Sequence, residues 1–324
     1  MEWWGYKLAP VLGIAYATAY VSNLSMISLW PVVLLTLAAL APCAAYVSVI
    51  NDLTDLKDDL ASGKTNRLVG RSRAFIAALL AGCILPGVAV AIYWRGEPLL
   101  LSFYLGSWAA FTLYSLPPVR LKGRGVFGLI ADASGAHLFP TLFAVCLVYR
   151  WYGKPIDLLW FALVAIWSIS CGLRGILWHQ LTDLDNDAKI RLRTFARQHK
   201  LSSLGRLSNV VVFPVELCTF ALILWRVDSR LAFAFLIVYV LLEVARARLW
   251  RIEFVVAVPK PNYRIVMQEY YELFFPLAVV LSSTMRYPTD AIMAAVHVVL
   301  FRRRATQTLR DCMQLIRDGW HRVF

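Results

Sequence analysis

The sequence predicts an all-α, polytopic membrane bundle, with about nine transmembrane helices around a central cavity. Three observations point there. Of 324 residues, 60% are hydrophobic and 16% charged, with mean hydropathy +0.62; soluble domains carry roughly 45–50% apolar and about 25% charged residues. Apolar runs long enough to span a bilayer recur along the chain, separated by short polar turns. Finally, Lys and Arg are divided unequally between alternate turns.

Taken in order, the spans are expected near residues 8–26, 28–51, 74–94, 98–115, 126–149, 156–180, 207–226, 231–248 and 267–285. The start, Met1 to Lys7, has no basic n-region followed by a short apolar segment and cleavage site, so the first span itself is expected to direct insertion. Pro31, Pro42, Pro86, Pro140 and Pro214 fall in or beside these runs and predict kinks or tilt. Residues 288–301 are apolar but short for a crossing. No flexible linker divides residues 1–301, which form one expected domain. Residues 302–324 read as a basic amphipathic cytoplasmic tail, with Arg310, Arg317 and Arg322 interleaved with Leu309, Met313, Leu315, Ile316 and Trp320; a helix lying on the anionic inner leaflet is expected, with a partner-binding helix as the alternative.

The net charge of +13 orients the chain and does not signal nucleic acid. Turns 57–73, 116–125, 186–206 and 246–264 carry 19 Lys and Arg, against 5 near residue 95, at 150–154 and at 226–230. The positive-inside rule then puts the first set, and the N-terminus, in the cytoplasm of what would be a bacterial inner membrane, surrounded by lipid. The six cysteines show no ligand spacing and read as buried small apolar residues.

Two aspartate segments close long apolar runs. In the first, Asn51-Asp52-Leu53-Thr54-Asp55-Leu56-Lys57-Asp58-Asp59, Asp52, Asp55 and Asp59 share one helical face while Asp58 points elsewhere as a solvated charge. In the second, Gln180, Asp183 and Asp187 repeat that spacing, with His179 ahead and Asp185 off the face. Carboxylates at a membrane lip are costly unless they are hydrated or hold metal ions, and hard oxygen donors suit Mg²⁺. Cations follow both: Lys64 and Arg67 after the first, Lys189 and Arg193 after the second. Between them, Tyr114-Ser115-Leu116-Pro117-Pro118-Val119-Arg120-Leu121-Lys122 stops a helix and presents Arg120 and Lys122, either as topology charges or as phosphate ligands. Gln180 could hydrogen-bond a metal-bound water or a phosphate oxygen without adding charge. Asp132, His137, Glu269 and Glu272 lie in or at the edge of apolar runs, so second-shell or acceptor-side roles stand beside simple interhelical hydrogen bonding. Tyr46, Trp108, Phe111, Tyr114, Trp167 and Trp178 are aromatic side chains on the spans that could face a cavity.

These three segments together resemble the UbiA superfamily of intramembrane prenyltransferases. Asn51-Asp52-x-x-Asp55-x-x-x-Asp59 matches the first family motif, Tyr114-Ser-x-Pro-Pro-x-Arg-Leu-Lys122 the loop motif, and Thr182-Asp183-Leu184-Asp185-Asn186-Asp187-Ala188-Lys189 with Arg193-Thr194 the second motif and its trailer. Gln180 stands where that motif has an acid, His179 where it has Asn, and Gly63-Lys64-Thr65-Asn66-Arg67 lacks the Lys-Arg-Pro of quinone-pathway members. The resemblance implies a divergent, Mg²⁺-dependent enzyme. Asp52, Asp55, Asp59, Asp183 and Asp187 would hold metal, while Asn51, Lys64, Arg67, Arg120, Lys122, Lys189 and Arg193 would bind the diphosphate of an isoprenyl substrate. The prenyl group would pass to a hydrophobic acceptor. In the alternative, a UbiA-type terpene cyclase, the chain's own double bond traps the cation.

Overall fold

The computed structural model describes residues 4–323, with side chains through residue 318. Met1, Glu2 and Trp3 of the start, and the side chains of Trp320 and Arg322, lie outside what is described. The helices are α1 (Ala9–Val21), α2 (Trp30–Ser62), α3 (Arg73–Tyr93), α4 (Pro98–Ser115), α5 (Val126–Ala133), α6 (Phe139–Trp151), α7 (Leu158–Thr182), α8 (Leu184–Lys189), α9 (Phe195–Gln198), α10 (Leu201–Arg206), α11 (Phe213–Val227), α12 (Arg230–Trp250), α13 (Phe275–Thr284), α14 (Ala291–Leu300) and α15 (Arg302–Val323). Among the described residues, five helical stretches are long and apolar enough to cross a membrane: Ile27–Ser62, Arg73–Tyr93, Val126–Trp151, Leu158–Thr182 and Leu201–Val227. The protein is a membrane-embedded helical bundle. Among the described residues its departures from all-α are a short parallel pairing of Glu253–Val255 (β1) with Tyr263–Ile265 (β2), which ties off the α12–α13 connection, and an isolated parallel bridge between Gly125 and Thr194.

Helix ends follow local chemistry. Ser72, Asp157 and Ser229 cap α3, α7 and α12, their side-chain oxygens accepting the N–H of Phe75, Trp160 and Ala232. Gly63, at φ 80°, ends α2 four residues after Asp59 and turns the chain back. Four π-helical turns, Trp4–Leu8, Ser134–Leu138, Leu207–Val212 and Tyr270–Phe274, each end two residues before a proline: Pro10, Pro140, Pro214 and Pro276. Proline supplies no N–H to the carbonyl four residues back and its ring crowds that carbonyl, so a widened turn relieves both. Pro42 and Pro86 sit inside α2 and α3 without such a turn.

The core joins α1, α6, α7, α11 and α13, with Tyr16, Phe143, Trp160, Phe220 and Phe275 almost fully buried. Gly172 lets α7 approach α5 closely: a Cβ there would lie 2.7 Å from the Ala133 carbonyl oxygen. That contact brings the helix leading to the second aspartate segment beside Asp132 and His137. Residues 288–300 run the length of the bundle. Asp290 accepts hydrogen bonds from Ser25 Oγ and the backbone N–H of Met26 and Ile27 at one end, and the Leu300 carbonyl accepts from Trp4 Nε1 at the other. Because α1 and α2 run in opposite directions between Trp4 and Ser62, α15 starts at the same end as the first aspartate segment.

Candidate active site

The two aspartate segments meet. The turn after Gly63 carries Lys64 across to Asp183, where its ammonium lies 3.1 Å from a carboxylate oxygen, and α2 packs against α8. Lys189 in turn donates to the Ser62 carbonyl at 3.5 Å. Tyr114, at the end of α4, lies within electrostatic reach of Asp132, Asp187, Asp55 and Asp183 together. Tyr114 and His137 are each partly exposed.

Most of these acidic groups are paired. Arg67 Nε donates to Asp52 at 2.6 Å, and its Nη2 reaches Ser48 Oγ at 3.0 Å. Asp55 accepts from Lys122 and, at 3.0 Å, from Arg120. Asp59 accepts from Asn66 Nδ2 at 2.8 Å, which also bonds the Asp52 carbonyl and so braces the helix end. Asn51 accepts from the Ser115 hydroxyl, locking the first segment to α4. Lys122 is buried; loss of hydration pulls its ammonium pKa below the ordinary lysine value, against the opposing charge of Asp55. Burial likewise raises the Asp187 carboxyl above the usual range, opposed by a hydrogen bond from Thr194 at 3.2 Å and aided by the charge of Asp183. His179 Nδ1 lies 3.6 Å from Asp183.

Four of these side chains have surroundings that the sequence did not indicate. Asp58 is not a free solvated charge: Arg120 Nη2 reaches it at 2.6 Å, and the same nitrogen also donates to Asp55. Gln180 does not extend the acidic face; its Oε1 accepts the Ala196 N–H at 3.1 Å and fixes the start of α9. Glu272 faces neither aspartate segment, since Arg304 of α15 bonds it at 2.5 Å. Arg193 pairs with no carboxylate among the described residues and lines an exposed basic groove of about 640 Å³ with Arg191, Arg197 and Gln198. Asp132 forms no hydrogen bond or ion pair among the described residues and contributes charge near Tyr114.

Sequence reasoning missed one pair. Arg174 of α7 donates from Nε and Nη2 to Glu216 of α11 at 2.6 and 2.8 Å, and from Nη1 to the Val266 carbonyl at 3.0 Å, all within the bundle. A lone Arg and a lone Glu in separate apolar runs were the available signal. Of the aromatic candidates, Tyr46 stacks on Trp108 at 4.9 Å, and Trp178 donates to the Tyr263 hydroxyl at 2.8 Å. An apolar groove of about 350 Å³ runs beside Leu121, lined by Gly106, Ala110, Leu113, Phe127 and Ile130 among others.

Among the described residues, no three His, Cys, Asp or Glu side chains converge closely enough to cage a metal ion. Mg²⁺ seldom asks for such a cage: it keeps water and takes one or two carboxylates plus substrate phosphate oxygens. The oxygen donors of Asp52, Asp55 and Asp183, each now balanced by a cation, suit that requirement.

Gln180→Leu is expected to leave metal dependence intact and to loosen residues 190–200, because the Ala196 N–H loses its acceptor at about 1–3 kcal/mol. Hydrogen exchange across α9 would measure it, and a shifted Mg²⁺ requirement with unchanged exchange would return Gln180 to the ligand set. No family model, curated protein or solved structure matches the chain.

Proposed function

We propose that this chain is an Mg²⁺-dependent intramembrane prenyltransferase of the UbiA kind. It ionises an allylic isoprenyl diphosphate, passes the prenyl group to a hydrophobic acceptor and releases diphosphate. The observation that carries the reading is the Lys64–Asp183 bridge, which joins the cationic trailer of one aspartate segment to the carboxylate of the other. In this reading about nine spans surround the site, which opens to the cytoplasm of a bacterial inner membrane.

Asp52, Asp55, Asp59, Asp183 and Asp187 would hold Mg²⁺, which when bound neutralises diphosphate charge and favours departure of the leaving group. The residues around them have complementary work. Lys64, Arg67, Arg120 and Lys122 exchange a carboxylate for a phosphate oxygen when substrate arrives, so the site's charge stays balanced. Asn51 and Asn66 hold the end of α2 in place. Tyr114 offers a ring face to the developing allylic cation. The groove beside Leu121 offers an apolar course for the isoprenyl chain.

The test is incubation of the purified protein with C10–C20 allylic diphosphates, with and without Mg²⁺, following diphosphate release and products by mass spectrometry. Mg²⁺-dependent release with adducts to a supplied lipid-soluble acceptor supports the reading. A cyclic hydrocarbon or alcohol formed without acceptor would reassign it as a terpene cyclase. Absence of release across the panel would overturn both. Within the same assay Lys122→Ala is expected to raise the apparent KM for diphosphate by about 10- to 100-fold, the loss of one charge-assisted contact. An unchanged KM would confine Lys122 to holding Asp55.

A further inference from the structure

The C-terminal helix α15 has three faces rather than two, and each meets a different environment. The first faces the bundle. Arg304 bonds Glu272, Thr308 donates to Glu269, Asp311 takes Arg246 and Arg264, Leu315 is buried, and Asp318 accepts from Trp250 Nε1 at 2.8 Å. This face uses every acidic side chain described on the helix. The second face is apolar and uncovered: Leu309, Met313 and Ile316 are 60%, 55% and 73% exposed. They follow one another at helical spacing. The third face is a row of arginines. Arg303, Arg310 and Arg317 recur every seven residues, all exposed, about 10 Å apart along the axis. None of the three pairs with a carboxylate among the described residues.

We propose that α15 is a binding site for anionic phospholipid in the leaflet at the aspartate end of the bundle. The Arg303–Arg310–Arg317 row takes phosphate headgroups, while Leu309, Met313 and Ile316 enter the acyl region beside them. Charge complementarity selects this occupant. A protein helix covering the same apolar stripe would leave three guanidiniums uncompensated along its edge, whereas a lipid surface supplies phosphate beside hydrocarbon at that spacing. The ion network on the first face fixes α15 to the bundle, so the row has a set orientation relative to the spans. The proposal is independent of the enzymatic reading.

The test places an environment-sensitive fluorophore at Ile316→Cys or, as control, at exposed Gln314→Cys, in full-length protein with Cys218→Ser and Cys312→Ser. Each is reconstituted into nanodiscs of phosphatidylcholine alone or with phosphatidylglycerol, carrying nitroxide-labelled acyl chains. The expected result is quenching at 316, little at 314, and an increase at 316 with phosphatidylglycerol. Arg303→Gln, Arg310→Gln and Arg317→Gln together should abolish that increase, each reducing anionic-lipid affinity roughly fivefold. These arginines lie outside the ion network, and an unchanged melting profile would confirm that the bundle is intact. Equal quenching at both positions, or no response to phosphatidylglycerol, overturns the proposal. Self-quenching at 316 only when two copies share a disc would assign the face to a second copy instead and also overturn it.

Discussion

Asp55→Asn is expected to abolish Mg²⁺-dependent release of diphosphate, by at least about 100-fold, while the protein still inserts and elutes as wild type. Asp55 is the one acidic side chain that meets both cations of the 114–122 loop, Lys122 and Arg120. Asparagine keeps its shape and removes its charge, so any loss reports electrostatics rather than packing. Removing a single group that stabilises charge at a reacting centre typically costs 10²–10³ in rate. Asp58→Asn on the same helix is the informative control. It shares Arg120 but lies off the face that Asp52, Asp55 and Asp59 occupy, and only a few-fold change is expected. Initial rates of diphosphate release over a range of Mg²⁺ concentrations would compare the two variants. Equal effects would mean that the cluster acts through its bulk charge, and a wild-type rate in Asp55→Asn would remove the first segment from the chemistry.

The contrast between Asp55 and Asp58 shows what the sequence made legible. Spacing placed three aspartates on one face, and the face is there; spacing also sent Asp58 outward, correctly for the helix but blind to a guanidinium that arrives from 62 residues away. Apolar runs marked where helices lie, since burial in lipid depends on composition. Prolines promised kinks at Pro140 and Pro214, and the chain answers with π turns there and at Pro10 and Pro276, where the sequence reading had not looked. What spacing could not show for Gln180 is that its carbonyl holds a backbone N–H in a loop whose path depends on tertiary contacts. The tail was legible only in part for a related reason. Amphipathic spacing revealed the apolar and basic sides of α15, but Asp311 and Thr308 are ordinary surface residues until Arg246 and Glu269 are found opposite them.

Those partners set up the largest expected loss of stability, from Arg246→Met. Arg246 is fully buried, donating to Glu243, to Glu269 at 2.6 Å and to Asp311 at 2.7 Å. Arg264 reinforces Glu269 at 2.9 Å and also bonds Asp311, but does not reach Glu243. Methionine fills most of the volume and leaves three buried carboxylates with one guanidinium. Breaking a buried ion network by removing one partner costs about 3–5 kcal/mol, because the remaining charges stay desolvated. The loss should therefore show as a large fall in melting temperature and as early proteolysis within α15, which Asp311 and Thr308 anchor. Arg246→Lys should recover little, since a single ammonium cannot fork between Glu269 and Asp311. Adding Glu243→Gln, Glu269→Gln and Asp311→Asn to Arg246→Met should restore much of the stability by removing the stranded charges rather than re-pairing them. If Arg246→Met melts with wild type and its tail resists protease, then α15 is held by apolar contacts at Leu315, Ala305 and Cys312, and the ions only set its register.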